Sequence, residues 1–319
     1  MNQENKKRSN LVWKVSFCII LMALIVSLIY IAYDECFSAN DKGMEVYFFD
    51  VGQADCTFIR LDGYTMLIDA GNKADANSDL KITDNINIVY ELKRLGVEKI
   101  DIFVNTHPHE DHMGGSATII ENFEIGFVIA PNNEADGITT KFYTEFEKFM
   151  EMKDINWIYP NEHIKVGDSF KFGSATVTIL SPNAEVYKDK NNYSIALIIE
   201  YEGKSILFTG DIEEKAENEI LTMALEKGIL LDVDVLKSAH HGSETSSSQE
   251  FLDAVKPEFV VISCGWDNTY GHPDDVVIER YRENRTRIFR TDMLGDIVMY
   301  INDGEIIFDT WSYLHTKKD

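Results

Sequence analysis

Between Thr106 and His112 the chain reads Thr-His-Pro-His-Glu-Asp-His, which sets His107, His109, Asp111 and His112 within six residues. The segment follows an apolar run over 100–104 and precedes Gly114-Gly115. A strand ending in such a turn can point three imidazoles and a carboxylate into one space, and those donors suit Zn²⁺ and similar divalent ions. No other feature constrains the fold as much. One loop does not complete a pair of cations, so distant loops must converge on it. Singly, each residue also reads as a capping Asp or a surface His; together they read as a ligand set. Glu110 is the least informative member and reads as exposed.

Later residues supply what this loop lacks. Asp211 follows the apolar strand Leu207-Phe208-Thr209-Gly210. A carboxylate there can bridge two cations, one oxygen to each, or it can cap a helix beginning near Glu213. His240-His241-Gly242-Ser243 follows a strand over 233–237, and Gly271-His272-Pro273 precedes a helix. One imidazole of the first pair can complete the second ion while the other meets a leaving group or a phosphate oxygen. Six of the eight histidines fall in these three loops; His163 and His315 lie elsewhere. Asp69 ends a strand and can orient a ligating imidazole through its other nitrogen. Asp50, Gly52, Gln53 and Asp55 form a polar turn that either lines the site or only turns the chain. Asn192 can offer an amide to substrate or to a metal-bound water.

Around these loops the pattern alternates strands and helices. Strands are predicted over 44–49, 56–60 and 64–68, with Asp62-Gly63 as a hairpin turn. A helix over 85–95 ends at Gly96, and a short helix covers 115–123. The amphipathic helix over 140–152 sets Phe142, Phe146 and Phe149 on one face, as core or as a substrate-facing patch. The second half repeats the grain: strand residues over 170–180, a hairpin at Glu202-Gly203, helices over 213–227, 248–255 and 273–284, and closing strands to 308. Hairpins open each half and helices follow. The prediction is two mixed sheets face to face with helices outside, one α/β domain over 44–312.

The N-terminus differs in character. Lys6, Lys7, Arg8 and Lys14 lead into an uncharged apolar run over 15–33. As a helix that run spans roughly 28 Å, about the thickness of a bilayer's hydrocarbon. Basic residues before it and Asp34-Glu35 after it put residues 1–14 in the cytoplasm and the catalytic domain outside the cell. A cleaved signal peptide, giving a secreted enzyme, is the alternative. Residues 34–43 read as a linker and 313–319 as a tail. Cys18, Cys36, Cys56 and Cys264 make no disulfide framework and no Cys-x-x-Cys pair. The net charge of −24 disfavours tight nonspecific binding of duplex DNA.

The set Phe49-Asp50-Val51-Gly52-Gln53, Leu67-Ile68-Asp69-Ala70-Gly71, His107-x-His109-x-Asp111-His112, Thr209-Gly210-Asp211, His240-His241-Gly242-Ser243 and Gly271-His272-Pro273 resembles the metallo-beta-lactamase superfamily. Within it, the likeness is nearest to the hydrolase domain of the competence-protein (DNA-uptake channel) branch and to the phosphorylcholine esterase branch. The resemblance implies an αββα sandwich with a dinuclear site at one edge of the sheets. It implies that His107, His109 and Asp211 hold one zinc ion, and that Asp111, His112, Asp211 and His241 hold the other. His240 and His272 would then contact the phosphate or protonate the leaving group. Lactamases supply a third His to the first metal just before a strand. Here the corresponding stretch reads Asn191-Asn192-Tyr193-Ser194, which speaks against beta-lactam chemistry.

Two zinc ions that share a water lower its pKa to roughly 7 and make a hydroxide nucleophile. The reading is a metal-dependent hydrolase of phosphodiester or phosphoester bonds, acting on a small or cell-surface substrate, with Mn²⁺ or Fe as other candidate ions. Alternatives are an extracellular nuclease, which would need a basic groove from residues such as Lys188, Lys190, Lys237, Arg282, Arg285 and Arg287, and a membrane-tethered metal-containing binding protein without catalysis.

Overall fold

Strand β3 (Tyr64–Ile68) turns Met66 and Ile68 into one apolar core and Leu67 into another; β4 (Lys99–Val104) repeats the split with Ile102 and Val104 against Phe103. Successive side chains of a strand point to opposite faces, so a sheet with both sets buried is covered on both sides. The computed structural model describes residues 43–73, 87–131, 140–184 and 186–309, with Leu21, Met22, Leu24, Ile25 and Ser27. The chain divides into two compact units, Met1–Gly43 and Met44–Asp319. In the first, the five described positions are helical and exposed. The remaining positions of the apolar run, the linker up to residue 42 and the tail lie outside the described residues. Among the described residues no helix is long and apolar enough to cross a membrane.

The second unit holds two mixed sheets. The first orders its strands β15 (Glu305–Asp309), β14 (Ile297–Asn302), β1 (Met44–Phe48), β2 (Thr57–Leu61), β3, β4, β5 (Glu124–Ile129) and β6 (Asn156–Ile158). The second orders β13 (Arg287–Arg290), β12 (Phe259–Ile262), β11 (Val235–Lys237), β10 (Lys204–Phe208), β9 (Leu197–Tyr201), β8 (Ala175–Ile179) and β7 (Ser169–Phe172). In the first sheet β3 through β6 run parallel and the rest pair antiparallel. In the second, β10 through β13 run parallel and the rest antiparallel.

Helices cover the outer faces. Helices α1 (Ile88–Arg94), α3 (Ser116–Asn122) and α4 (Lys141–Lys153) bury Leu92, Ile120 and Phe146 in the core that Leu67 and Phe103 share. Helix α2 (Glu110–Met113) is a single turn between β4 and α3. Helices α5 (Glu214–Lys227), α6 (Gln249–Val255) and α7 (Asp275–Glu283) bury Ile220, Leu252 and Tyr281 in the larger core. The side chains of Asn87, Thr140 and Ser248 cap α1, α4 and α6.

Four elements differ from the sequence pattern. The alternating stretch 170–180 is a hairpin, because Gly173 takes a positive φ of 56° and Asp62 accepts a hydrogen bond from Ser174 N at 2.7 Å. The helix expected from Pro273 begins at Asp275, after the extended cap residue Asp274. Strand β6 and the single turn α8 (Thr291–Leu294) are too short for periodicity to show. Cys56 and Cys264 are free and buried.

Candidate metal centre

Parallel strands place their carboxyl ends together, and in α/β sheets polar loops gather there. Asp69 follows β3, the His107–His112 loop follows β4, Asp211 follows β10, and His240-His241 follow β11. Backbone hydrogen bonds lace the first-sheet loops to one another: Ala70 N to His112 O, Gly115 N to Gly71 O, and Asp55 N to Asp111 O. Where the two sheets' loops meet, Gly210 has a φ of +53°, and a Cβ there would lie 2.9 Å from Ser194 Cβ and 3.1 Å from Thr106 Cβ. Only glycine fits that approach. Beyond it the Asp211 N–H donates to Ser194 Oγ at 2.9 Å. Helix α5 is capped at Glu213, so Asp211 is not its cap.

Asp111, His112, Asp211 and His241 each offer one donor atom, and these atoms lie within 4.8 Å of one another. His112 Nε2 is 3.2 Å from Asp211 Oδ1, and His241 Nε2 is 3.2 Å from Asp111 Oδ2 and 3.7 Å from Asp211 Oδ2. On the other side of Asp211, His107 Nε2 is 3.7 Å from Oδ2 and 3.1 Å from His109 Nδ1. Asp211 therefore faces His112 with one oxygen and His107 and His241 with the other. His107, His112, Asp211 and His241 are buried.

The outer partners fix which nitrogen faces inward. His112 Nδ1 meets Asp69 Oδ2 at 2.7 Å, and that carboxylate also accepts from Thr106 N and Thr106 Oγ1. His241 Nδ1 meets the Ser263 carbonyl at 3.0 Å. With its own proton given to Asp69, Thr106 Oγ1 accepts from His107 Nδ1 at 3.2 Å. All three rings are then left with Nε2 toward Asp211, the arrangement that outer-layer partners impose on ligating histidines. His112 Nε2 and Asp211 Oδ1 are buried without an aligned hydrogen bond. A buried polar atom without a partner is costly, and these two are the atoms a cation would take. The donor set fits a divalent metal.

Electrostatics agree. Burial holds His107 well below the ordinary imidazole range and, less strongly, His109. Burial acts the same way on His112, but Asp211, Asp69 and Asp111 outweigh it and push that ring well above. His241 is raised for the same reason, chiefly by Asp211. Burial raises Asp211, yet His112, His241 and His107 bring it well below the carboxylate range. A second acidic group, Asp55, Asp69 and His112, lies just behind. It carries its own cation: Lys237 Nζ meets Asp55 Oδ2 at 2.7 Å, with both side chains buried.

A cleft of about 360 Å³ opens on the centre, with His109, Asp111, Asp211, His240, His241 and His272 in its wall. His240 Nε2 is 3.9 Å from Asp211 Oδ2, and its ring is 5.7 Å from that of His272. His240 and His241 both have positive φ, 50° and 55°, a strained backbone for residues with a Cβ that costs about 1–2 kcal/mol each. Gln53 also lines the cleft, and its Oε1 accepts from Gly265 N at 3.0 Å. Asp50 does not line it; its side chain accepts from Gly52 N within the turn.

Asn192 needs correction. Its Oδ1 accepts from Glu213 N and Ala216 N and its Nδ2 donates to Glu213, so it serves the start of α5. Its neighbour Asn191 lines the cleft instead. Lys237 is likewise no groove residue, because it is buried against Asp55. Arg282 and Arg287 pair with Glu279 and Glu258. Glu110 is exposed, as its sequence reading expects, and it lines the cleft; Tyr270 lines it too, and an aromatic residue on a loop carries no spacing signal.

The metallo-beta-lactamase superfamily profile matches residues 49–266. ComE operon protein 3 of Bacillus subtilis is 28% identical over 79% of this chain and 32% of its own length. Competence protein ComA of Neisseria gonorrhoeae is 29% identical over 85% of this chain and 34% of its own. The chain thus spans about a third of these curated relatives. Among solved structures, the diiron beta-hydroxylase CmlA of Streptomyces venezuelae superposes with a TM-score of 0.53 at 16% identity, over 81% of this chain and 54% of that one, which is a likeness of fold. With the motif loops gathered at one edge of two mixed sheets and the profile covering most of the second unit, the chain belongs to the metallo-beta-lactamase superfamily, on its competence-protein branch.

Proposed function

We propose that the second unit is a metal-dependent hydrolase of phosphodiester or phosphoester bonds, working with two zinc ions. The carrying observation is that one buried carboxylate, Asp211, lies within 3.7 Å of the Nε2 atoms of His107, His112 and His241. His107, His109 and Asp211 would hold one ion; Asp111, His112, Asp211 and His241 the other. Bound there, the pair would supply an activated water and charge neutralisation at phosphorus. The chain's own part is orientation and proton handling. Asp69, Thr106 and the Ser263 carbonyl hold three rings with Nε2 inward. His240 and His272 stand at the open side, where a phosphate oxygen or a leaving group would lie. His272 Nδ1 sits 3.2 Å from Asp274 Oδ2.

Zinc follows from nitrogen-rich ligation; the diiron site named for CmlA makes iron the ion to test against it. We also propose that residues 15–33 anchor the chain with the hydrolase unit outside the cell. Protease added to intact cells should then remove that unit; resistance until lysis would place it in the cytoplasm. For the chemistry, the purified chain is assayed for metal content and against phosphodiesters, phosphocholine esters, DNA and beta-lactams. His109→Ala and Asp211→Ala should each abolish turnover and lower metal content while circular dichroism stays unchanged. Full activity in both variants would refute the assignment.

A further inference from the structure

The open side of the centre ends in a ring that the reaction above does not use. Ring centroids step outward from His241 to His240 at 6.2 Å, to His272 at 5.7 Å and to Tyr270 at 6.0 Å. The last pair lies nearly parallel, 13° apart. Tyr270 lines the cleft yet is 72% exposed, which leaves the face away from His272 to solvent. A single exposed aromatic side chain is ordinary on a protein surface. This one is held in place. Asn268 Nδ2 donates to the carbonyls of Gly265 and His272, and its Oδ1 accepts from His272 N at 3.1 Å. Gly265 N is tied in turn to Gln53. The loop that carries Tyr270 is thus tied across its own ends by Asn268 and to the cleft by Gln53, and it also exposes Trp266.

The cleft's charge narrows what such a ring would meet. Among the described residues no Lys or Arg lines it. The part of a substrate that reaches beyond His272 finds no side-chain cation, only an open aromatic face. A quaternary ammonium is recognised by several rings that face one another. Among the described residues Tyr270 contacts one ring, that of His272. A single flat face suits a flat guest.

We infer that Tyr270 is a stacking platform for a planar aromatic group carried by the substrate beside the phosphorus under attack. The inference rests on the hydrolase reading of the same centre. Stacking of this kind commonly decides affinity where no base-edge hydrogen bonds are made.

The test uses the full-length, metal-loaded chain with dithymidine phosphate, its abasic counterpart and glycerophosphocholine. Tyr270→Ala should raise KM about tenfold for the base-bearing diester. It should leave KM for the abasic diester, and the metal content, unchanged, and Tyr270→Phe should behave as wild type. An equal rise for the abasic diester would overturn the platform. A larger rise for glycerophosphocholine would assign the ring to a cation and overturn it as well. Should the wild type turn over none of the three, the hydrolase reading falls by itself. Equilibrium binding of thymidine monophosphate against ribose 5-phosphate then decides the platform: Tyr270→Ala must still weaken the first selectively.

Discussion

The two walls of the centre are built by opposite rules. On the closed wall, His107, His112 and His241 are buried, and each has its outer nitrogen on a fixed partner: Thr106, Asp69 and the Ser263 carbonyl. On the open wall, His240 is part-exposed, with its Nδ1 3.3 Å from the Thr245 hydroxyl and 3.9 Å from Glu213, and His272 is half-buried beside Asp274. The closed wall settles where protons sit before anything binds. The open wall leaves its rings able to gain and lose partners, which is what contact with a changing substrate needs. Burial therefore separates holding from reacting within one cluster of imidazoles.

The comparison breaks first where the closed wall is charged. Lys237→Met strands the Asp55 carboxylate in the interior, and removing one partner of a buried pair costs about 3–5 kcal/mol. The expected readout is a lower urea midpoint at unchanged slope. The double variant Lys237→Met/Asp55→Leu should recover most of the loss, because apolar replacement of a whole buried pair is close to neutral. A single-variant loss below about 1 kcal/mol would show that this pair does not support the wall.

Next comes the orienting layer. Asp69→Ala frees His112 Nδ1 and Thr106 at once, and loss of such a partner typically costs about 10–100-fold in metal affinity. Competition with a coloured chelator measures it; wild-type affinity would refute the role. A pH effect of similar origin follows. Without a cation, Asp211 and its neighbours hold His112 protonated above the ordinary range, and His241 shifts the same way. A cation at Nε2 must displace those protons, whereas His107, already neutral, gives up none. Affinity should thus rise with pH about tenfold per unit for each proton displaced, up to the raised pKa values of these rings. Titration calorimetry in buffers of different ionisation enthalpy should find protons released as the cation binds at pH 7. No release would mean that both rings are neutral beforehand.

Much of this centre was legible in the sequence because its donors sit in short runs at strand ends. The His107–His112 loop, Asp211 after Thr-Gly, and His240-His241 each follow an apolar strand, and parallel strands carry such ends to one edge. The two mixed sheets were legible for a like reason: hairpin turns at Asp62-Gly63 and Glu202-Gly203 mark the antiparallel halves. What stayed hidden depends on pairing across the chain. Lys237 and Asp55 are 182 positions apart, and a lysine in a strand reads as solvent-facing until its partner is known. Asn191 and Asn192 are identical in type, and only the 3₁₀ turn over Lys190–Tyr193 decides which one faces the cleft and which one serves α5. Tyr270 gives no signal because a loop aromatic has no period.

The smallest effect on stability belongs to the open wall, and its sign is the informative part. His240 holds a φ of +50° and makes one marginal side-chain hydrogen bond at 3.3 Å. Glycine at that position relieves the left-handed strain, while it adds entropy to the unfolded chain. The two nearly cancel, so His240→Gly should stabilise the fold by less than about 1 kcal/mol. Metal content should stay at the wild-type level, because His240 belongs to neither of the two ligand sets proposed above. Turnover should fall all the same. A variant that is slightly more stable, fully loaded and slow would show that the strain is kept for the reaction. If His240→Gly instead loses metal, His240 belongs to the closed wall, and the division between the two walls fails at that residue.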